Sequence, residues 1–547
     1  MTAPIRRPRA ASRGGASQGR ASQGGASQGR ASQGRASLGR ASQGGAPGGG
    51  APRGAPQGPA SRDGASRGDA PRDGAPGGGG RRGGRGRRAD PVRRVAYDVL
   101  IAVDQRDAYA NLLLPSMLAE RGLEGRDAAL ATELTYGTLR GRGSYDAILG
   151  LCSDRRLDRV DPPLREVLRL GTHQLLATRV RPHAAVATSV DLARDLAGQR
   201  SAGFVNAVLR KVATRDLEAW MGVAAPHRDT DLLGHLAVRY SHPRWMAQAV
   251  ADALGEDLAG GLAGTEAALA ADGTRPRVTL CVVPGLAEPA ELLAAGAEPA
   301  AWSPFGAHLA GGDPAAIEAV STRRAAVQDE ASQLAAIAVA RAGLTGPDRR
   351  WLDMCAGPGG KARLLAGLAA QRGARLLATD SRPHRARLAR DAVSVTGAAA
   401  AAAVDATAPA WRARSFDRVL ADVPCSGIGA LRRRPEARWR RSEQDVLGLG
   451  GLQRSLLRSA LDAVRPGGVV GYVTCSPHRG ETREVLADVL RGRDDIEVLD
   501  APGVLAEVPD LRCPEPDGRY AQFWPHRHGT DAIFLALLRR REDTGPA

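Results

Sequence analysis

Two cysteines stand where a strand gives way to a turn. Cys475 follows the apolar run of "GYVTCSP" (471–477), and Cys425 follows another in "ADVPCSG" (421–427). A buried strand has no packing need for a thiol at its exit, and a thiol becomes a nucleophile once it ionises. A free cysteine, with a pKa of about 8.5, is only a few per cent thiolate at neutral pH. A reactive role therefore needs a nearby arginine or a helix N-terminus. Glu481 is expected to open a helix close to Cys475 and to supply that dipole. Of the other cysteines, Cys152 and Cys281 read as core fillers and Cys513 has no assigned role. No CxxC pair or His/Cys cluster has zinc-ligand spacing. His526 and His528 in "WPHRHGTDA" lack a third ligand, so no metal is expected.

A second constellation lies upstream, in "LDMCAGPGGKA" (352–362). A strand runs into a turn with Gly357, Gly359 and Gly360, and a helix follows. Glycine lets a backbone approach a ligand closely. The spacing is neither G-x-G-x-x-G nor G-x-x-x-x-G-K-[ST], which argues against a standard dinucleotide site and against a nucleotide triphosphatase. Asp380 ends the next strand, and Asp405 and Asp422 follow the two after it. Ligands of doubly wound sheets bind at the carboxyl ends of strands, where a carboxylate can accept hydrogen bonds from ribose hydroxyls. Three acids there suit a neutral or cationic nucleoside better than a phosphate. S-adenosylmethionine carries a sulfonium and no phosphate.

The elements that must position these residues are legible in the pattern. From residue 346 strands and helices alternate: "RRWLDMC", "ARLLATD", a strand ending near Val404, "FDRVLADVP", "GGVVGYVTC", "IEVLDA" and "DAIFLALLRR" are strands. Helices are expected from Pro383, over Leu447–Val464 and over Glu481–Leu490. Alternation of this kind argues for a parallel doubly wound sheet over 346–541. Upstream, Val92, Val95, Ala96, Val99, Leu100 and Val103 recur at helical spacing, as do Leu164, Val167, Leu168 and Leu175, and Val205, Val208, Leu209 and Val212. Residues 89–215 thus read as an all-helical domain of six or seven helices. A small α+β connector is expected over 216–345, with "RPRVTLCVV" as a strand and "VQDEASQLAA" as a strand end feeding a helix.

Charge and composition bound the partners. The chain has 547 residues and only two lysines, Lys211 and Lys361, among 76 basic residues. Residues 1–89 hold 17 Arg and three Asp, so most of the net charge of +17 belongs to the tail. The first 88 residues repeat units such as "ASQGR" and "ASQGG", with almost nothing apolar to offset the entropy of ordering, and are expected to be disordered. The remaining chain is close to neutral, so any RNA-facing groove must be local. Arg432, Arg433, Arg434, Arg438, Arg440 and Arg441 could line such an entrance. No apolar run reaches membrane length, so no span is expected, and the Arg-containing first residues lack an apolar h-region and do not read as a secretory signal. A cytoplasmic chain with free thiols, acting as a monomer, is expected.

"LDMCAGPGGK", "ATD", "VDAT", "DVPCSGIG", "RRRPEARW" and "YVTCSP" together resemble the RNA 5-methylcytosine methyltransferases of the NOL/NOP/Sun group. "NLLLP", "ELTYGTLR" and "NAVLRKV" resemble the NusB-like RNA-binding domain, and the domain order is similar to the Sun/RsmB branch, which modifies small-subunit ribosomal RNA. The resemblance spans about residues 90–540 and implies a NusB-like all-α domain, an α+β connector and a Rossmann-like class I methyltransferase domain. It implies that Cys475 is the nucleophile, adding to carbon 6 of cytosine so that carbon 5 can take a methyl group. Cys425 would be the base for product release, and Asp422 would bond the ring at nitrogen 3 or the exocyclic amine. The donor, S-adenosylmethionine, would be held by Cys355, Ala356, Gly357, Pro358, Gly359, Gly360 and Lys361, then Asp380, Asp405 and Asp422. Cys355 would contribute backbone rather than sulfur chemistry. Gly357 stands where many relatives have Ala, and "DVPCSG" replaces the commoner "DAPCSG". The target base must leave its stack, so the RNA is flipped or single-stranded there. The alternatives are the same chemistry on transfer RNA, or a non-catalytic NusB-like RNA-binding or antitermination factor.

Overall fold

The computed structural model describes residues 89–514 and 517–542; the disorder expected for 1–88 lies outside them. Asp90 caps the first helix, Pro91–Arg106, its carboxylate accepting from the Arg93 amide at 3.0 Å, and Pro91 pre-sets the first turn. Helices Ala110–Glu120, Gly125–Cys152, Pro162–Ala177 and Pro182–Val212 follow. The last of these is interrupted at Gly198, whose φ of 80° is not helical and is one that glycine adopts freely. The five helices are thus six helical segments, at the lower end of the expected number. The periodic apolar residues form one core: Val95, Val99 and Val103 share it with Val167, Leu168, Val205 and Leu209, and Cys152 fills a place among them.

Helices Leu217–Ala224, Leu232–Arg239, Arg244–Leu254 and Ala263–Asp272 lead to a four-stranded antiparallel sheet. Its strands are β1 (Val278–Val282), β2 (Ala297–Pro299), β3 (Gly306–Leu309) and β4 (Ala325–Val327), in the order β2-β3-β1-β4. Cys281 is buried on β1. Asp329 then caps helix Glu330–Arg341, which packs on the larger sheet.

That sheet comprises β5 (Arg350–Asp353), β6 (Arg375–Asp380), β7 (Ala399–Ala403), β8 (Phe416–Asp422), β9 (Val464–Thr474), β10 (Ile496–Leu499), β11 (Ala521–Gln522) and β12 (Phe534–Arg540). The order is β10-β12-β9-β8-β5-β6-β7, with β11 on β12. The five strands from β7 to β9 are mutually parallel, as the alternation predicts. The expectation of a wholly parallel sheet is corrected at one edge, where β12 enters antiparallel between β9 and β10. Between β10 and β12 the described residues form only two helices, Ala501–Val504 and Pro525–His528, each of four residues. Neither is long enough for the crossover that a parallel return requires. Side chains alternate across the sheet. Leu420, Val469 and Val473 face helices 330–341 and 360–371, while Val419, Val470 and Tyr472 face helices 443–463 and 483–490.

The arginine run after β8 behaves differently from a solvated entrance. Arg438 is fully buried and donates to the carbonyls of Arg140 (2.9 Å) and Asp272 (2.7 Å). Burial pulls its pKa down to about 10, so it stays charged at neutral pH. Arg440 donates to the carbonyls of Val103 and Ala108. Arg432 bonds the Gly529 carbonyl, and Arg433 pairs with Asp329 and Asp531. Trp439 lies so close to Gly143 that a Cβ there would meet its ring at 2.5 Å. Four of the six arginines therefore hold the chain together, and only Arg434 and Arg441 are exposed. The correction has a simple origin: a charge run reads as a solvated face unless carbonyls from distant segments happen to converge on it.

Hydrogen bonds to charged groups contribute about 1.5–3 kcal/mol each. Arg438→Ala is expected to lower the unfolding temperature and hasten protease cleavage in 89–215. Arg441→Ala should leave both near wild type, which thermal scans and limited proteolysis will check.

Candidate active site

The two cysteines are brought together by strand register. β8 and β9 are parallel neighbours, with Asp422 opposite Val473. Cys425 and Cys475 therefore leave the sheet side by side, and their sulfurs are 3.3 Å apart. The loop is stitched in place. The Gly429 amide donates to the Cys475 carbonyl at 2.9 Å, and the Ala532 amide to the Gly429 carbonyl at 2.8 Å. A Cβ at Gly429 would collide with the Ala532 carbonyl oxygen, so the close approach requires glycine. Behind the thiols Glu481 is fully buried. It accepts from the Ser426 amide (2.7 Å), the Ser426 hydroxyl and the Gln453 side chain.

The helix that Glu481 is expected to open begins instead at Arg483, and Glu481 ends a short 3-10 turn at Arg479–Glu481. Its contribution is a fixed negative charge on the Cys425 side rather than a dipole. The cysteines are half-buried side by side and share one hydrogen bond, which splits their acidities. Cys475 is held below the usual thiol range by that bond, with help from Lys361 and Arg434, against the opposing effects of burial and Asp422. Cys425 is pushed well up by the same bond, by burial, and by the charges of Cys475, Glu481 and Asp422. The arrangement can hold a thiolate at Cys475 facing a thiol at Cys425.

The acids line the neighbouring edge. Asp422 Oδ2 pairs with Lys361 Nζ at 2.9 Å. Burial disfavours the Lys361 charge, but Asp422 more than restores it, so its pKa is raised. Asp380 accepts from the Gly357 amide at 3.2 Å and from the Arg382 amide at 2.8 Å, tying the glycine turn to the next strand. The Ala356 amide bonds the Thr379 carbonyl, Pro358 is exposed, and helix Gly360–Gln371 follows at once. Gly359 has φ of 95°, and a Cβ on it would meet Ala392 at 2.6 Å. Asp405 lies at the same edge but is exposed and turned back on Thr407, bonding its amide and hydroxyl; it touches none of the other acids. The Cys355 thiol is pushed well up by burial and four surrounding carboxylates, which makes it unreactive. His528 is held by the Trp524 amide and the Pro509 carbonyl. Among the described residues no group of three or more His, Cys, Asp or Glu could hold a metal ion.

Two acids carry roles that sequence reasoning misses. Glu481 has the look of a helix-opening acid, and only the fold turns it inward. Asp353, in the "LDMC" motif, is another acid at a strand end, and that position is the available signal. It is fully buried, and neither oxygen makes a hydrogen bond of normal geometry. Burial, then the charge of Asp422, raises its pKa to about 8. An orphaned carboxyl, a glycine turn open at Gly357 and Gly360, and carboxylates on adjacent strand ends fit a cationic nucleoside. They do not fit a phosphate.

Fold and site thus define a class I methyltransferase sheet joined to a NusB-like helical domain. Residues 345–539 match the family model described as 16S rRNA methyltransferase RsmB/F, and residues 90–214 match the NusB family. Ribosomal RNA small subunit methyltransferase B of Pseudomonas syringae pv. tomato is 31% identical over 456 residues, covering 82% of this chain and 96% of that one. A Mycobacterium tuberculosis protein, Rv1407, which carries a provisional methyltransferase name, is 49% identical over 457 residues, 83% of this chain and 98% of its own. The crystal structure of PH0851 shares the fold, with a TM-score of 0.66 at 22% identity over 82% of this chain and 99% of that one. The chain belongs to the RsmB/F family of S-adenosylmethionine-dependent RNA cytosine-5 methyltransferases.

A proton held on Asp353 makes stability depend on pH. Between the ordinary 3.8 and about 8 the unfolded chain has released this proton while the folded chain keeps it. Stability from this group therefore falls as pH rises through that window and levels off above it. Asp353→Asn should remove the slope, so its unfolding temperature relative to wild type should climb from pH 5 to pH 8 in thermal scans.

Proposed function

We propose that this protein methylates carbon 5 of a cytosine in small-subunit (16S) ribosomal RNA, acting as a single chain in the cytoplasm. The reaction passes through a transient bond between Cys475 and the base. The observation that carries this reading is the pair of sulfurs 3.3 Å apart with acidities split in opposite directions. The ribosomal target is supported by the match to the RsmB/F model and by the relatives named for that activity.

In this mechanism the Cys475 thiolate adds to carbon 6, forming an S–C bond and making carbon 5 electron-rich. Asp422 accepts a hydrogen bond from the exocyclic amine and orients the ring. The donor, held by the Gly357–Lys361 turn with Asp380, Asp405 and Asp422, supplies an electrophilic methyl group on a sulfonium. Once Cys475 is bonded to carbon 6 its charge is gone. The interaction that held the Cys425 proton goes with it, so Cys425 can pass that proton to water. The Cys425 thiolate then takes the carbon 5 proton. The C–H electron pair rebuilds the ring double bond and expels Cys475 as thiolate. Lys361 and Arg434 favour the charge on Cys475 before and after.

Transfer RNA as substrate keeps every one of these steps, whereas a non-catalytic RNA binder has no use for the split pair. With 16S RNA and labelled donor, Cys475→Ala should abolish transfer. Cys425→Ala should accumulate a protein–RNA adduct that survives a denaturing gel. Turnover by Cys425→Ala without any adduct would reject the assigned roles. Bisulfite mapping of RNA from a deletion strain should show the lost mark in 16S RNA; a loss in transfer RNA alone would reject the substrate.

A further inference from the structure

Arg434 and Arg441, the two exposed arginines of the run after β8, rim a cleft of about 240 Å³ against the helical region. Neither side chain makes a hydrogen bond or ion pair among the described residues. Tyr109 forms the opposite wall and is 47% exposed, so part of its ring is open to a ligand. The guanidinium carbons of Arg434 and Arg440 lie 5.9 and 5.5 Å from its ring centre. Arg440 is anchored by two carbonyls and braces the ring. Arg434 is not anchored, so it can give up the ring to a ligand. Glu436 forms the floor, buried, with neither oxygen in a hydrogen bond of normal geometry.

We propose that this cleft is a subsite for one nucleotide of the RNA beside the target cytosine, its base on Tyr109 and its phosphate on Arg434 and Arg441. The inference rests on the reading of the protein as an RNA methyltransferase. An aromatic face next to unanchored guanidiniums matches a base and its phosphate, because every base has a face to stack and every phosphate accepts from arginine. Two acids set the direction: the buried Glu436 keeps a phosphate off the floor, and the exposed Asp107, paired with Arg440 at 3.8 Å, leaves Arg434 and Arg441 as the phosphate side, so the base end points inward and the backbone lies at the rim. The cleft is smaller than the roughly 300–1,000 Å³ of drug-sized sites, which suits one base. Its place near the thiols follows from the chain itself, since Arg434 lies nine residues after Cys425, just past the short turn Ile428–Ala430. Arg432 and Arg433, fixed to Gly529, Asp329 and Asp531, hold the rim steady.

The test uses the full chain, fluorescently labelled single-stranded RNA for binding, and 16S RNA for transfer. Tyr109→Ala should weaken RNA binding roughly 5- to 150-fold, the range for one base–aromatic stack, and raise the KM for RNA. The KM for the donor should stay unchanged, and Tyr109→Phe should restore binding. Arg434→Gln with Arg441→Gln should flatten the plot of log affinity against log salt by about 0.7 per lost phosphate contact. RNA affinity and KM unchanged in Tyr109→Ala would overturn the subsite. So would a parallel loss of donor affinity and thermal stability, which assigns Tyr109 to domain packing. So would tighter competition by an acidic peptide than by RNA. If wild type methylates no RNA but Tyr109→Ala still loses RNA binding, the subsite stands and the enzymatic reading fails.

Discussion

Two sulfur atoms 3.3 Å apart set the terms for everything near them. Such a contact is available only because β8 and β9 are adjacent and parallel, so that both strands end at the same edge. Antiparallel neighbours would place the two exits at opposite ends of the sheet. Register then decides the rest, since a slip by one residue turns every side chain to the other face. The Gly429 crossing, which tolerates no Cβ, clamps the two exits together. In this sense the chemistry is a property of strand order before it is a property of cysteine.

Burial alone would raise both thiols and silence them. What separates them is a shared hydrogen bond and the unequal placement of charge around it. Lys361 and Arg434 act on Cys475, while Glu481 lies against the Cys425 loop. Three donors from Ser426 and Gln453 satisfy the Glu481 carboxylate. A carboxylate bonded in this way costs less to bury than one left without partners. It also makes the loop geometry and the loop electrostatics one feature, because the groups that hold Ser426 in place are those that hold the charge.

Much of this is legible in the residues. Strands stand out because buried parallel strands are continuous apolar runs, and the acids and glycines at their ends fall where a ligand edge must be. The same logic fails where long-range partners decide. Arg438 and Arg440 are hydrophilic by type, yet carbonyls at Arg140, Asp272, Val103 and Ala108 accept their N–H groups and offset part of the cost of withdrawing them from water. Glu481 carries the local signature of a helix start, and no local pattern reports Ser426 across the sheet edge. Asp353 resembles ordinary strand sequence, because a lone acid after "RRWL" says nothing of whether its carboxyl finds a partner. Asp405 has the right position at its strand end, yet Thr407 two residues on captures its carboxylate. Helix ends are harder to read than helix faces, because apolar periodicity marks the buried side and not the termini; a single glycine at 198 is the only break in 31 residues.

The arginine-rich segment continues the Cys425 loop toward the helical region. Arg432 and Arg433 bond the segment around Asp531, just before β12, and Arg438 and Arg440 bond the helices. The loop that carries Cys425 is thus held from both sides, and its position depends on how firmly the helical region is docked. Buried charge-assisted hydrogen bonds suit that task better than apolar packing, because they fix direction as well as distance. They also leave Arg434 and Arg441 as the members of the run whose guanidiniums make no hydrogen bond or ion pair among the described residues, at the edge of the helical region beside Tyr109. A segment that used all its cations for docking could not also meet a polyanion, and one that used none could not hold the thiols in register. The division of one arginine run between those two tasks follows from where backbone carbonyls are within reach and where they are not.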